Sequence, residues 1–338
     1  MEIKEPRVNL YDSNGYLNVE GIIETYPQPF IFITGARAIG KSYSSFKAML
    51  KRSDPFFCLR RTETEAEIMS DPNTSQVASV ARDMSIPLEF KKVNKLGSAV
   101  KDGEPVSFFG SLATFKNFRG IDLSTCRWLI YDECIPEIHT RKIKEEGLAF
   151  GNIYETINRN RELNGEPPLR VLFLSNSFNL ANDIFKFFNI IDDAERLKDE
   201  GGEVCEDDTK VLILPNSSPI SKQKETTAIY KATGQDFRDL AINNRFIAND
   251  FSRIRKTVNR QQYTGYCQVG PLLILKHKST GELYAMIGKG TCRHNYKDTI
   301  ADLKKFRRER GEIYDKYFGD KIKFKSYNAQ YLLETYII

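Results

Sequence analysis

The fold is decided by the stretch Gly35-Ala36-Arg37-Ala38-Ile39-Gly40-Lys41-Ser42, which matches the pattern G-x-x-x-x-G-K-S/T at every fixed position. An apolar run, Phe30–Thr34, precedes it, and Tyr43–Leu50 follows without Gly or Pro. A strand, a glycine loop and a helix in this order form a cradle whose N–H groups and helix N-terminus bind phosphate. The stretch therefore predicts a nucleotide site in which Lys41 reaches the β- and γ-phosphates and Ser42 binds Mg²⁺.

The composition is typical of a globular protein and argues against several classes. With 41% hydrophobic and 28% charged residues, the chain can build sizeable cores. No run approaches the roughly 20 apolar residues of a membrane span, and the N-terminus lacks a signal-peptide core, so we expect a cytoplasmic protein without membrane contact. The six cysteines form no C-x-x-C pair, which favours structural thiols over zinc or disulfide sites.

Charge is distributed unevenly along the chain. Residues 231–338 carry 21 Lys and Arg against 11 Asp and Glu, although the net charge of the whole chain is only +5. A basic region of this kind predicts a polyanionic partner such as nucleic acid. The alternative is a basic surface that faces only solvent.

Short apolar runs recur along the first two thirds of the chain. We predict strands at Phe30–Thr34, Phe56–Leu59, Val106–Phe109, Trp128–Tyr131, Val171–Ser175 and Val211–Leu214. Helices are predicted at Ser42–Arg52, Glu63–Met69, Ile143–Asn158 and Ala181–Asp199, and residues 1–29 are predicted to be irregular. Strands that alternate with helices indicate an α/β fold with a mostly parallel sheet.

The character of the sequence changes after Pro215. We predict an ATPase-type first domain at residues 1–215, a linker with one or two short helices at 216–247, and a small basic second domain at 248–338. Pro271–Lys276 and Glu282–Ile287 flank Ser279-Thr280-Gly281 and predict a hairpin. Asp298–Tyr317 predicts one long basic helix. Its candidate DNA-binding residues are Lys304, Lys305, Arg307 and Arg308.

Two acids follow the apolar run Trp128–Tyr131. Ligands bind at the carboxyl ends of strands in α/β sheets, so Asp132 is predicted to hold Mg²⁺. Glu133 is predicted to be the base that activates the attacking water. An adjacent glutamate is typical of the P-loop class that hydrolyses ATP and couples it to mechanical work.

Four further polar segments are candidates for functional roles. Ser175 or Asn176, at the end of another predicted strand, is a candidate γ-phosphate sensor, with a polar strand cap as the alternative. Arg159 is a candidate arginine finger from a neighbouring subunit, or else a basic helix end. The loop with Lys116 and Arg119, and the pair Arg60-Arg61, are candidates for phosphate or nucleic-acid contacts, or surface pairs.

Taken in order, these motifs resemble those of the DNA-packaging ATPases of small, short-tailed phages with protein-primed linear genomes, which are compact relatives of terminase large subunits. The resemblance rests on Gly35–Ser42, Leu59-Arg60-Arg61, Tyr131-Asp132-Glu133, Arg159-Asn160-Arg161-Glu162 and Leu174-Ser175-Asn176. It covers about residues 30–180 and rests on layout alone beyond residue 215. It implies a P-loop NTPase of the additional-strand, catalytic-glutamate class that uses ATP and Mg²⁺.

The resemblance also implies partners. The family forms a homomeric ring, a pentamer, on the portal (connector) vertex of a prohead, together with a prohead RNA, and drives double-stranded DNA inward. The family's trans-acting finger maps onto Arg159, and a second trans-acting basic residue falls near Arg119. We therefore expect this protein in the host cytoplasm, transiently on the prohead and not in the mature virion.

Terminase relatives carry a C-terminal nuclease of RNase H type, which needs carboxylates that hold two metal ions. Leu272–Lys276, the candidate first strand, contains no acid, and the hairpin supplies only Glu282. The second domain is therefore expected to be a degenerate α+β nuclease-like domain without cleavage activity.

Two other functions fit the same residues. A DNA helicase or replication-initiation ATPase would share the site but unwind a duplex. An ATP-gated nucleic-acid-binding assembly protein would turn over little ATP, and the pair Asp132-Glu133 argues against it, because a binding switch does not require the glutamate.

Overall fold

The structure, a computed structural model, describes residues 1–93, 96–115, 122–136, 143, 145–176, 179–215, 218–224, 226–232 and 253–338. They divide into two compact units, one formed by Met1–Phe178 and Arg196–Phe246 and the other by Asn179–Glu195 and Ile247–Ile338. The segment Asn179–Glu195 thus groups with the second unit, which the predicted boundary at residue 215 does not anticipate. Much of the predicted linker at 216–247 lies outside the described residues.

The first unit is built on one sheet whose central strands are parallel. Its ten described strands are β1 (Glu2–Lys4), β2 (Phe30–Thr34), β3 (Phe56–Arg60), β4 (Glu89–Val93), β5 (Leu96–Lys101), β6 (Glu104–Ser111), β7 (Trp128–Asp132), β8 (Arg170–Ser175), β9 (Val204–Glu206) and β10 (Lys210–Ile213). They are hydrogen-bonded in the order β1-β9-β10-β2-β8-β7-β3-β6-β5-β4. The strands from β10 to β6 pair in parallel, and the pairs at both edges are antiparallel. The predicted α/β class is confirmed.

Helices alternate with these strands along the chain. Those described before residue 233 are α1 (Val19–Thr25), α2 (Lys41–Arg52), α3 (Glu63–Ser70), α4 (Gln76–Asp83), α5 (Glu146–Asn158), α6 (Asp183–Phe187), α7 (Ile191–Asp199), α8 (Pro219–Lys224) and α9 (Ala228–Ala232). Phe46 of α2 and Val80 of α4 are buried in one core with Ile31, Phe56 and Ile130 of the sheet. Central strands read as continuous apolar runs because helices bury both of their faces.

Strand order decides where a ligand binds. Thr34 at the end of β2 pairs with Ser175 of β8, and Asp132 at the end of β7 pairs with Leu174 of the same strand. The carboxyl ends of β2, β8, β7 and β3 therefore meet at one edge of the sheet, where α/β proteins bind their ligands.

The second unit holds a smaller sheet. Its described strands are β11 (Tyr263–Val269), β12 (Leu272–His277), β13 (Leu283–Ile287), β14 (His294–Tyr296) and β15 (Ile322–Phe324). They follow the order β14-β11-β12-β13-β15; β11, β12 and β13 form an antiparallel meander, with β14 parallel to β11 and β15 parallel to β13. Helices α10 (Ile300–Glu309), α11 (Gly311–Phe318) and α12 (Tyr327–Ile337) complete the unit. The predicted hairpin is confirmed as β12 and β13.

Several predicted elements differ from the structure. Residues 1–29 are not irregular throughout: β1 pairs with β9, and α1 begins where the side chain of Asn18 accepts the N–H of Gly21. The predicted helix Ala181–Asp199 is two helices, α6 and α7, separated near Asn189, whose φ is 56°. The predicted helix Asp298–Tyr317 is also two helices, because the chain bends at Arg310 (φ −129°, ψ 36°) before Gly311.

Within the described residues, no helix has the length and apolar character needed to cross a bilayer.

Candidate active site

The glycine-rich loop connects β2 to α2 and has the backbone that its glycines permit. Gly40, the residue before α2, has a φ of 89°, a left-handed conformation that glycine adopts at little cost. A Cβ atom at Gly40 would also lie 3.2 Å from Cδ1 of Tyr16. The N–H of Gly35 donates to the carbonyl oxygen of Ser175 (3.2 Å), which ties the start of the loop to β8.

Lys41 is buried and points into the loop. Its Nζ donates to the carbonyl oxygens of Gly35 (2.9 Å) and Ala36 (2.6 Å). The ammonium group thus lies inside the loop that Gly35–Ser42 forms, where a lysine of this motif contacts phosphate oxygens.

Ser42 and Asp132 bring the loop and β7 together. The Ser42 hydroxyl donates to Oδ1 of Asp132 at 2.8 Å, and Asp132 is 2% exposed. Hydroxyl and carboxylate oxygens are ligands that Mg²⁺ accepts, and this ion takes few protein ligands when phosphates and water supply the rest. The two side chains therefore fit a magnesium ion, as the sequence predicts.

Arg60, which the sequence offers only as a candidate for phosphate or nucleic-acid contact, joins both predicted acids. Its Nη1 donates to Oδ2 of Asp132 (2.5 Å) and its Nη2 to Oε2 of Glu133 (3.0 Å). Burial lowers the pKa of this guanidinium, but the charges of Asp132 and Glu133 outweigh burial and raise it. The contact arises because β3 lies next to β7, with Leu59 opposite Tyr131. The pairing of these two strands is therefore the signal that places Arg60 beside the acids.

Glu133 follows β7 directly and has an unusual backbone. Its φ is 56°, and its side chain is 48% exposed. Non-glycine residues in the left-handed region are uncommon and concentrate at functional sites, where the surrounding structure holds them. Here the turn is held in part by the N–H of Cys134, which donates to the carbonyl oxygen of Leu174 (3.0 Å).

These groups line one cavity of about 310 Å³. Its walls include Lys41, Ser42, Asp132, Glu133, Ser175 and Asn176. The structure thus brings the loop residues, both acids and the sensor candidates together, while the roles of these residues remain predictions. Two further lining residues, Gln76 and Ser79 of α4, carry no sequence motif and were not predicted.

Behind the acids lies a buried ionic cluster formed by Arg61, Tyr131 and Glu146. Arg61 Nε and Nη2 donate to the two carboxylate oxygens of Glu146 at 2.8 and 3.0 Å, and the Tyr131 hydroxyl donates to Oε1. Burial, followed by the charge of Glu146, raises the pKa of Tyr131 well above its usual value, so the phenol stays protonated. The cluster joins the ends of β3 and β7 to the first turn of α5, and Arg61 is not a surface residue.

We predict that Glu146→Gln destabilises the first unit by about 3–5 kcal/mol, because it leaves the Arg61 guanidinium buried without its anion. The measurement is urea unfolding followed by the fluorescence of Trp128, the single tryptophan of the chain. Glu145→Gln, at the exposed neighbouring position, is the matched control and should change stability by less than about 0.5 kcal/mol. Equal unfolding midpoints for the two variants would contradict the role of the cluster.

Arg159 lies at the other end of α5. It is the C-terminal cap of this helix, with φ 51° and ψ −132°, and its side chain is 48% exposed and 3.4 Å from Asp122. Among the described residues, those that line the cavity do not include Arg159. A role in catalysis would therefore have to be exerted on another subunit.

The other predicted residues that the structure describes do not line this cavity. Arg37 is exposed in the loop. Lys116 and Arg119 lie outside the described residues. The predicted DNA contacts Lys304, Lys305, Arg307 and Arg308 are all exposed on α10, although Arg307 Nε also donates to the carbonyl oxygen of Tyr336 (2.8 Å).

Comparisons with known proteins show the family of this chain. The model of the family described as "Podovirus DNA encapsidation protein (Gp16)" matches residues 11–269. The DNA packaging proteins of Bacillus phage PZA and Bacillus phage phi29 are each 24% identical to this chain over 238 residues. These are 69% of this chain and 66% of each relative, so the match spans just under two thirds of the relatives' length.

Two solved structures share the fold. A chain of the bacteriophage Phi-29 viral genome packaging motor assembly has a TM-score of 0.64 and 19% identity, and the match covers 98% of this chain and 100% of that one. The Phi-28 gp11 DNA packaging motor has a TM-score of 0.66 and 16% identity, with 96% and 98% covered. The similarity therefore extends over both units.

Proposed function

We propose that this chain, which belongs to the podovirus DNA encapsidation protein family, is an ATPase that drives double-stranded viral DNA into a prohead. The observation that carries the proposal is the single cavity at which Lys41, Ser42, Asp132 and Glu133 converge. A phosphate cradle, a magnesium pair and a carboxylate base are the parts that ATP hydrolysis requires. DNA is proposed as the substrate because the family is described as a DNA encapsidation protein.

Each residue has a chemical task in this proposal. Lys41 exchanges its two carbonyl contacts for oxygens of the β- and γ-phosphates. Ser42 and Asp132 hold Mg²⁺, which, when bound, neutralises charge on those phosphates. Glu133 accepts a proton from water as the water oxygen bonds to the γ-phosphorus and the bond to the β–γ bridging oxygen breaks, its electron pair leaving with ADP. Ser175 or Asn176 senses whether the γ-phosphate is present.

We assign the first unit to the additional-strand, catalytic-glutamate class of P-loop NTPases. The supporting observations are β8, which lies between the loop strand β2 and the acid-bearing strand β7, and Glu133 directly after Asp132. Residues 216–247 are proposed to connect the ATPase part of the chain to a nuclease-like second part.

We propose that the subunits form a homomeric ring, a pentamer, which sits on the portal together with a prohead RNA. ATP is hydrolysed at the interfaces between neighbouring subunits. Arg159 supplies positive charge to the γ-phosphate of the neighbouring subunit, where negative charge develops. Its exposure and its position away from the cavity of its own chain support this role. The protein acts in the host cytoplasm, transiently on the prohead.

The second unit is proposed to contact nucleic acid without cutting it. Exposed Lys304, Lys305 and Arg308 of α10 supply positive charge. None of the five described strands of its sheet contains Asp or Glu, and no group of three or more His, Cys, Asp or Glu arranged to hold a metal occurs within the described parts of the chain.

We therefore predict that the purified protein does not nick supercoiled plasmid DNA in the presence of Mg²⁺ or Mn²⁺, because two-metal cleavage needs a carboxylate cluster. Agarose electrophoresis of the plasmid is the measurement. The prediction is wrong if nicking occurs and is lost when an acid of the second unit, such as Glu282, is replaced.

The proposal is tested by ATP-dependent DNA packaging into purified proheads, measured as DNA protected from nuclease. Wild-type protein should package, and Lys41→Ala should not. A protein that unwinds a duplex in a strand-displacement assay without proheads is instead a helicase. Turnover of ATP in Lys41→Ala at the wild-type rate would refute the site itself.

A further inference from the structure

Two polar side chains of helix α4, which packs on α2, line the cavity. Gln76 is the first residue of the helix and Ser79 lies one turn later, so the two share a face. Both line the cavity together with Lys41, Ser42 and Glu133. No hydrogen-bonded side-chain partner of Gln76 is found among the described residues, so its amide is available to a ligand.

The position of α4 is fixed by its other face and by its far end. Val77, Val80 and Ala81 are buried in the core that also contains Phe46 of α2. At the end of α4, Asp83 accepts a hydrogen bond from the Tyr43 hydroxyl (2.8 Å), and Tyr43 directly follows Ser42. The packing of α4 on α2 therefore decides where Gln76 and Ser79 lie relative to the phosphate loop.

Uncharged hydrogen-bond donors can act in this cavity beside Glu133, on phosphate oxygens and on water. Glu133 Oε2 accepts a hydrogen bond from Arg60, so part of the base is already engaged. A carboxamide offers an N–H₂ donor and a carbonyl acceptor at the same time, and can hold a phosphate oxygen and a water molecule together. A glutamine that orients the attacking water is an established device in phosphoryl transfer.

We propose that Gln76 and Ser79 contact the terminal phosphate of the nucleotide, with the Gln76 amide also orienting the attacking water and Ser79 donating to a γ-phosphate oxygen. The inference rests on the proposed function, because it requires ATP in this cavity. The proposal places a second set of contacts to the γ-phosphate on α4, a helix that contains none of the sequence motifs.

The test is Gln76→Glu, which keeps the shape of the side chain and adds a negative charge. Binding of ATP and of ADP is measured by calorimetry on the full chain in a Glu133→Gln background, which prevents hydrolysis. A carboxylate beside the γ-phosphate repels ATP more than ADP, so the dissociation constant for ATP should rise about tenfold and that for ADP less than about threefold. An acid in the first turn of a helix is favourable, so the melting temperature should not fall.

Two further variants complete the test. Gln76→Ala should lower turnover about tenfold in the presence of Glu133 while the ATP dissociation constant changes less than about threefold. Gln262→Glu, at an exposed glutamine of the second unit, adds the same charge elsewhere and should change neither affinity. Ser79→Ala should weaken ATP binding more than ADP binding.

The outcomes separate the two proposals. If the Glu133→Gln protein binds neither nucleotide, the proposed function fails. If it binds both, and Gln76→Glu changes the ATP and ADP affinities equally or leaves both unchanged, the role of Gln76 is wrong and the ATPase proposal stands.

Discussion

Arg159→Ala lowers the ATPase rate of the assembled homomer by at least about 10³-fold, the range in which arginine fingers contribute to phosphoryl transfer. The reason is that the γ-phosphate loses a cation where negative charge develops in the transition state. The fold should tolerate the change, because Arg159 is a half-exposed helix cap and alanine adopts its left-handed φ no less readily than arginine does. Steady-state release of phosphate is the measurement.

Mixtures of two inactive variants test whether Arg159 acts in trans. Arg159→Ala subunits keep a complete cavity, and Glu133→Gln subunits keep the finger, so an interface between them restores one active site. We expect activity to reappear in mixtures and to peak at intermediate ratios. Arg127→Ala, at an exposed arginine of the same unit, should be active alone. Mixtures that remain inactive at every ratio, although the subunits assemble, contradict a trans role.

Glu133→Gln lowers ATP turnover by about 10²–10⁴-fold, the contribution typical of a positioned general base. Glutamine has the same shape and keeps the hydrogen-bonding reach of the side chain, but it does not accept the proton of the attacking water. Lys41, Ser42 and Asp132 are unchanged, so ATP and Mg²⁺ should still bind. We expect the variant to retain unhydrolysed ATP through gel filtration.

The matched control for this variant is Glu145→Gln, which removes an exposed carboxylate of the same unit and should leave turnover within about twofold of wild type. Single-turnover measurements separate the chemical step from the release of product. A Glu133→Gln protein that hydrolyses bound ATP at the wild-type rate would show that another group is the base.

Much of the first unit follows from local sequence patterns. The six predicted strands of the first domain all occur, each within two residues of its expected bounds, because buried parallel strands are continuous apolar runs. Strands β4 and β5 at one end of the sheet were not predicted, and neither were β1 and β9 at the other end. The strands β1 and β9 have only three residues each, which carry too little pattern, and their pairing joins distant parts of the chain. The breaks near Asn189 and at Arg310 were missed because helical periodicity continues across them.

Some residue roles rest on the resemblance to a family and not on contacts observed in the structure. Arg159 lies at a helix end away from the cavity of its own chain, and its trans role stays a prediction. Lys116 and Arg119 lie outside the described residues. The nuclease-like character of the second unit also stays a prediction, whereas its hairpin and its basic helix face are observed.

By itself, the sequence determined where the predicted nucleotide site lies: Gly35–Ser42 and Asp132-Glu133 are recognisable because each motif needs fixed neighbours along the chain. Only the tertiary structure decided which other groups complete the site. Arg60 meets both acids because β3 pairs with β7, and Gln76 enters the cavity because α4 packs on α2. Those contacts depend on the order of strands and on packing between distant segments, which local spacing does not encode.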